Sequence, residues 1–381
     1  MSSSRPANRW PRIRPFTTPA VYRQHQISTD HEATTIQQIQ ERINEGFYVF
    51  LREGTVERDL ENTVGAVNES NASRFAFCTD DKLVDSLLNE GGINDCIRKA
   101  IQHGLRPETA YTMASFNAAQ AHQTPFIGAL NPNYQADIVV LDDPYDVKIH
   151  QVIKKGHLIS NHDFNTHPLS FAKNTMNFAL SPADLQLPLN SATANIIQVI
   201  PNHIETEHLI EPVSIHNGTF CPDTVKDQLK MVVVERHHHT GKIGKAIVKG
   251  FNLTHGAVAS SIAHDSHNII AVGTNDTDLM AAIQHLQKVG GGITVFANRH
   301  ELATLPLQIG GLMSNLSYKE TAQKLNAITA AYQSISRPIA FNPFITLSFL
   351  ALPVIPTLKL TARGLYDFDQ QKFIPVEANA D

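Results

Sequence analysis

Cysteine is scarce: three residues in 381 (Cys78, Cys96, Cys221), scattered and without a CxxC spacing. That argues against a disulfide scaffold and fits a reducing cytoplasm. Tryptophan occurs once, in an N-terminal stretch rich in proline, serine and arginine. That stretch has no apolar segment of the kind a secretory signal needs. No apolar run anywhere is long enough to span a bilayer. The most apolar stretch, residues 344–355, is short and is followed or broken by Pro353 and Pro356; it reads as a buried strand and turn. Excess basic charge is also missing, the net charge being −5. Neither nucleic acid nor an anionic membrane is indicated as a partner. Histidine, by contrast, is abundant at 19 residues. It is both a metal ligand and a proton carrier near neutral pH.

The length suits two or three domains. Residues 1–26 show no periodicity and read as irregular. From Ile27 to about Ile127, strands alternate with helices. ISTDHE, FYVFLREG and RFAFCTDD are strands that end in polar residues. Helices are expected from Thr34 or Thr35 (the N-cap) to Asn44, over 59–68, over 93–102 closed by Gly104, and over 107–122. This alternation reads as βα units of a barrel or parallel sheet. Residues 128–165 read as β-hairpin material and 166–190 as a linker. Residues 191–375 form a further domain, with strands MVVVERH, GAVASSI, NIIAVGT and GITVF and helices over 276–289 and 320–334. Val289-Gly290-Gly291-Gly292 lacks the GxxxxGK[ST] pattern and reads as a turn.

Two strand ends carry candidate chemistry: Thr29-Asp30-His31-Glu32 and Thr79-Asp80-Asp81. In a barrel, catalytic residues project from the C-terminal strand ends. A neutral imidazole and a carboxylate there would hold a divalent metal and lower the pKa of its water. On spacing alone that signal is weak, and His31 and Asp80 read first as surface or helix-capping residues. Arg52-Glu53 ends the intervening strand, where an arginine anchors an anion, orients a carboxylate, or forms a structural ion pair. Further along, Glu235 to Gly241 (ERHHHTG) and Ala263 to Asn268 (AHDSHN) are dense polar clusters. His264, Asp265, His267 and Asn268 are candidates for a substrate pocket.

ISTDHEATT, GFYVFLREGTVERDLE, FAFCTDD, GALNPNYQADIVVLDD, VVVERHHHTGKIGKAIVKGF, SSIAHDSHNIIAVGTND and NPFITLSFLALPVIPTLKLTARGL resemble adenine deaminase segments, in that family's order. The resemblance runs from residue 27 to about 370. It implies an α/β chain made of the last strands of a TIM-like amidohydrolase barrel (27–127), a small β domain and a C-terminal α/β domain. The reaction it implies is adenine plus water giving hypoxanthine and ammonia, in purine salvage, by metal-activated water. Through it His31 becomes a metal ligand, and Asp80 a ligand and the catalytic proton shuttle, with Asp81 the weaker alternative. The implied metal is manganese, or else iron. Adenine is the implied partner, and a homo-oligomer the implied state of a complete enzyme.

The family's His-x-His pair, bridging carboxylate and further histidine, all expected ahead of residue 27, are not present. Three strands do not close a barrel, and one histidine with one aspartate holds a metal weakly. The expectation is therefore a chain inactive alone. Two other expectations stay open: another aminopurine deaminase, or a non-catalytic half that complements a separate N-terminal chain.

Overall fold

Apolar strands followed by amphipathic helices become, in the computed structural model, three parallel strands with helices between them. The structure describes residues 19–160 and 176–378. It divides into two compact units, Met1–Pro168 and Leu169–Asp381. Each is mixed α/β.

The first unit opens with helix α1 (Pro19–Gln24), inside the stretch expected to be irregular; residues 1–18 of that stretch lie outside the described residues. Strand β1 (Thr29–Asp30) leads through α2 (Ile36–Asn44) to β2 (Tyr48–Arg52). The chain then runs through α3 (Leu60–Thr63) to β3 (Phe75–Cys78). After α4 (Val84–Asn89) come α5 (Ile93–Gln102), α6 (Pro107–Thr112) and α7 (Ala118–Ala121), the last two joined by a π-turn. Thr35 is the N-cap of α2, its hydroxyl accepting from the N–H of Gln38.

The sheet order is β1-β2-β3, parallel throughout, with Asp30 opposite Val49 and Arg52 opposite Cys78. Its two faces are covered by different residues, because neighbours along a strand point to opposite sides. Val49, Leu51, Phe75 and Phe77 pack into a core with Ile39 of α2 and Cys96, Ile97 and Ala100 of α5. Phe50 and Ala76 face the other way, onto Ala121. Burial of both faces is the usual condition of a parallel sheet. A small sheet follows, formed by β4 (Ile138–Asp143), β5 (Lys148–Lys154) and β6 (His157–Leu158).

The second unit is built on eight strands. They are β7 (Thr193–Val199), β8 (Thr206–Pro212), β11 (Leu229–Val234), β12 (Ile243–Lys249), β13 (Ala257–Ser260), β14 (Ile269–Gly273), β15 (Gly292–Ala297) and β16 (His300–Pro306). Their order is β16-β15-β13-β14-β11-β12-β7-β8. Only the β12–β7 pairing is parallel; the other pairings are antiparallel. Two short pairs, β9 (Ile215–His216) with β10 (Thr219–Phe220) and β17 (Leu358–Thr361) with β18 (Gly364–Asp367), flank it, the latter extended by β19 (Lys372–Phe373). Helix α8 (Asp276–Val289) starts on Asn275, whose side chain accepts from Asp278 N–H, and ends on Gly290 in the left-handed conformation. The triple glycine is thus a helix C-cap and turn.

Two expectations fail here for identifiable reasons. Residues 344–355 were expected as strand and turn, but Pro343–Phe349 is helix α10, which follows α9 (Tyr318–Ile335). Asn342 accepts the N–H groups of Phe344 and Ile345, and Pro343 sits at the first helical position; those cues outweigh the apolar, β-branched composition. The expected linker over 166–190 lies in part outside the described residues. Its described remainder is packed: Phe178 and Leu185 are buried against β11, β13, β14 and α8. Among the described residues, no helix is long and apolar enough to cross a membrane.

Candidate functional site

The three parallel strands end side by side, so the residues that follow them share one edge. His31 comes directly after β1, Arg52 closes β2, and Asp80 lies two residues beyond β3. His31 Nε2 is 3.5 Å from Asp80 Oδ2 and 3.4 Å from Glu32 Oε1. Arg52 is 3% exposed and its guanidinium binds three carboxylates. Nη1 donates to Glu32 Oε2 at 3.0 Å and to Asp80 Oδ2 at 3.2 Å. Nε and Nη2 both reach Asp59 Oδ2, at 3.0 and 2.9 Å. Burial works against the arginine's charge, but Glu32, Asp59, Glu57 and Asp80 outweigh it and raise its pKa. Asp80 itself sits at φ +50°, a left-handed conformation that aspartate tolerates better than most residues.

The pleat decides which neighbours join this group. Phe50 and Arg52 lie on one face of β2, Leu51 and Glu53 on the face covered by α5. Glu53, expected as a pocket residue beside Arg52, is therefore turned away: it is buried against Lys99 of α5, with Nζ at 2.6 Å. Asp30 likewise points away from His31 and pairs with Arg42 of α2 at 3.0 Å. Of the two neighbouring aspartates, it is Asp80 that meets His31 and Arg52.

One residue of the group carried no sequence signal. Glu57 is 3% exposed, and its Oε2 is buried without a hydrogen-bond partner. Burial pushes its carboxyl up to about 8, against the pull of Arg52, so it holds a proton at neutral pH. Gly54 makes room for it: a Cβ there would stand 3.2 Å from Glu57 Oε2 and 3.1 Å from the carbonyl of Thr79.

The charge count bears on whether a cation fits. Glu32, Asp59 and Asp80 surround one guanidinium, leaving two negative charges with Glu57 protonated. A divalent cation is what such a surplus attracts. His31 Nε2 and Asp80 Oδ2 converge as two donors of suitable type. They make only part of a shell: among the described residues, no three His, Cys, Asp or Glu side chains are arranged to hold a metal ion.

In the second unit, the two polar clusters noted in the sequence come together. Glu235 folds the HHH segment over its own carboxylate, which accepts from the N–H groups of His237 (2.6 Å), His238 (2.8 Å) and Thr240 (3.0 Å) and from the Thr240 hydroxyl (2.9 Å). Partial burial opposes the charge, but these donors hold its pKa down to about 2. Arg236, 1% exposed, ties this loop to the next: Nε donates to the His267 carbonyl at 2.6 Å and Nη2 to that of Gly310 at 2.9 Å. Gly311, at φ +77°, must lack a side chain, since a Cβ would stand 2.8 Å from the guanidinium. The His264 ring stacks on Phe349 at 4.6 Å and lies 5.7 Å from that of His267. Burial, then the neighbouring His264, lowers the pKa of His267, whose Nδ1 is buried without a hydrogen-bond partner. Asn268 is buried and accepts from the Arg236 N–H at 3.3 Å. Asp265 is turned outward, its side chain 66% exposed.

Comparison with known proteins covers both units. Residues 20–159 match the amidohydrolase family and residues 203–372 the adenine deaminase C-terminal domain. The first match begins at residue 20, inside the stretch expected to lie outside any family likeness. Adenine deaminase of Lactiplantibacillus plantarum is 52% identical over 357 residues, 93% of this chain and 63% of that protein. Those of Listeria innocua and Geobacillus kaustophilus are 48% and 47% identical, with 62% and 64% of their lengths covered. The chain thus spans less than two thirds of the curated relatives it matches. Among solved structures, N-acetyl-D-glucosamine-6-phosphate deacetylase of Mycobacterium smegmatis is 17% identical, covers 37% of this chain and 50% of its own, and superposes with a TM-score of 0.28, too low to bear on the fold.

Proposed function

We propose that the chain belongs to the adenine deaminase family and that its first unit carries the His31–Asp80 part of a centre that hydrolyses adenine to hypoxanthine and ammonia. The observation that supports this is the meeting of His31 and Asp80 at neighbouring strand ends, 3.5 Å apart. On this reading β1, β2 and β3 are the last strands of an amidohydrolase-type barrel. The implied cation, a divalent metal such as manganese or else iron, would be held by His31 Nε2 and Asp80. When bound, it supplies the lowered water pKa that makes a nucleophile available near neutral pH. Asp80 takes the proton of the attacking water and passes it to the amine as ammonia leaves. His31 keeps its ring turned toward Asp80, with Nε2 3.5 Å from Oδ2. In the second unit, His264, His267 and Asn268 form a polar cluster that is a candidate binding site within that unit. The setting is the cytoplasm and purine salvage, with a homo-oligomer as the state of a complete enzyme.

A second reading is favoured by one feature. Among the described residues, β1 and β3 each pair only with β2, leaving two open edges in a parallel sheet. The chain would then work joined to a polypeptide that supplies the remaining strands. One experiment serves both readings. The chain is assayed for hypoxanthine release with adenine and manganese, alone and co-expressed with the part of the Lactiplantibacillus relative that it does not span. Turnover is expected only in the co-expressed sample, and is expected to disappear in His31→Asn and Asp80→Asn. Turnover that survives both substitutions would refute the assignment.

A further inference from the structure

Three carboxylates from three separate segments converge on one side chain. Glu32 follows β1, Asp59 precedes α3 and Asp80 follows β3, and each contacts the guanidinium of Arg52. The division of labour is geometric. One edge of the guanidinium, Nε and Nη2, is anchored on Asp59 at 3.0 and 2.9 Å. The opposite corner, Nη1, stands between Glu32 and Asp80. Asp80 Oδ2 is the same oxygen that lies 3.5 Å from His31 Nε2. The Asp80 side chain is 31% exposed, against 3% for Arg52. Water is therefore open to Asp80, and without a fixed partner two neighbouring carboxylates would repel each other toward it.

We propose that Arg52 is the positioning residue of this centre, holding Asp80 and Glu32 against His31 in the arrangement that receives a divalent cation. The inference rests on the reading of His31 and Asp80 as cation donors. Lysine does not replace it. A single ammonium lacks the planar fork that reaches Asp59 on one side and Glu32 with Asp80 on the other. Charge is therefore not the property that matters, and a charge-conserving change separates positioning from electrostatics.

The test uses the full chain as wild type, Arg52→Lys, Arg52→Gln and His31→Asn. Two readouts are taken: the metal-free crystal structure, and the affinity for Mn2+ alone, measured from the paramagnetic resonance of the free ion. In Arg52→Lys, a soluble chain with wild-type circular dichroism is expected, with the Asp80 carboxylate displaced from His31 and Mn2+ affinity lowered about 10–100-fold, the range for supporting residues around metal ligands. Asp80 still about 3.5 Å from His31 in that structure, or unchanged Mn2+ affinity, overturns the proposal. Wild type that binds no Mn2+, or His31→Asn that binds it equally well, overturns the cation reading instead, and the crystal structure still decides the role of Arg52. If Arg52→Gln fails to fold, Arg52→Lys carries the test.

Discussion

Lys359 on β17 is an amine that the second unit buries completely: it is 0% exposed, and its Nζ donates to the carbonyl of Ile204 at 2.5 Å. Burial pushes its pKa from 10.5 down to about 7. Below pH 7 both the folded and the unfolded chain hold the proton, and the folded state bears the full cost of burying it. Between pH 7 and 10.5 the unfolded chain keeps a proton that the folded chain has shed, so stability rises with pH across that window. At about 1.4 kcal/mol per tenfold change in proton affinity, the cost below pH 7 is at most about 5 kcal/mol. Lys359→Met removes that cost and leaves the Ile204 carbonyl without its donor, a loss of about 1–3 kcal/mol. The variant should therefore be more stable than wild type at pH 6, by about 2 kcal/mol. At pH 10 the protonation cost has shrunk to about 1 kcal/mol, and the sign should reverse. Urea unfolding of both proteins at pH 6, 8 and 10, followed by circular dichroism, isolates the effect, because titrating groups not coupled to Lys359 cancel in the difference and Glu205, which is coupled to it, stays ionised across that range. A difference that stays constant with pH, or a variant less stable at pH 6, would refute the burial argument.

Two further outcomes follow from hydrogen bonds at loop and helix starts. Glu235, held at about 2 by its donors against 4.5 when unfolded, contributes stability above pH 4.5 that is lost as pH falls toward 2. Glu235→Gln should lower the melting temperature at pH 6 and leave the two proteins nearly equal at pH 2.5; an undiminished gap there counts against the loop's dependence on that carboxylate. Asn342→Ala should cost about 1 kcal/mol, the usual loss for an N-cap, read as a lower urea midpoint with unchanged slope. No change would mean that α10 is set by packing alone.

The chemistry-bearing residues were partly legible before any coordinates. His31, Arg52 and Asp80 are polar residues at the ends of apolar strands, and strand ends are local features of the sequence. Their partners were not legible. Glu53 was expected beside Arg52, yet the pleat sends it to Lys99. Glu57 carried no signal in the sequence, and its burial is what makes it hold a proton at neutral pH. The ERHHHTG and AHDSHN clusters stood out separately, but nothing local says that Arg236 would join them.

The sequence by itself determined what depends on neighbours a few residues apart. It specified the helix over Ile93–Gln102, the helix over Asp276–Val289, an N-cap at Thr34 or Thr35, the glycine turn after Val289 and the strands that carry His31 and Asp80. Periodicity and capping are short-range and survive in a one-dimensional reading. Tertiary structure alone decided the rest: which strand ends became neighbours, which of two adjacent aspartates met His31, and which charged groups lost their water. Each of those depends on residues tens of positions apart. The free energy of a carboxylate or an amine changes by several kcal/mol with the solvent around it, and the order of residues does not record where that solvent is excluded.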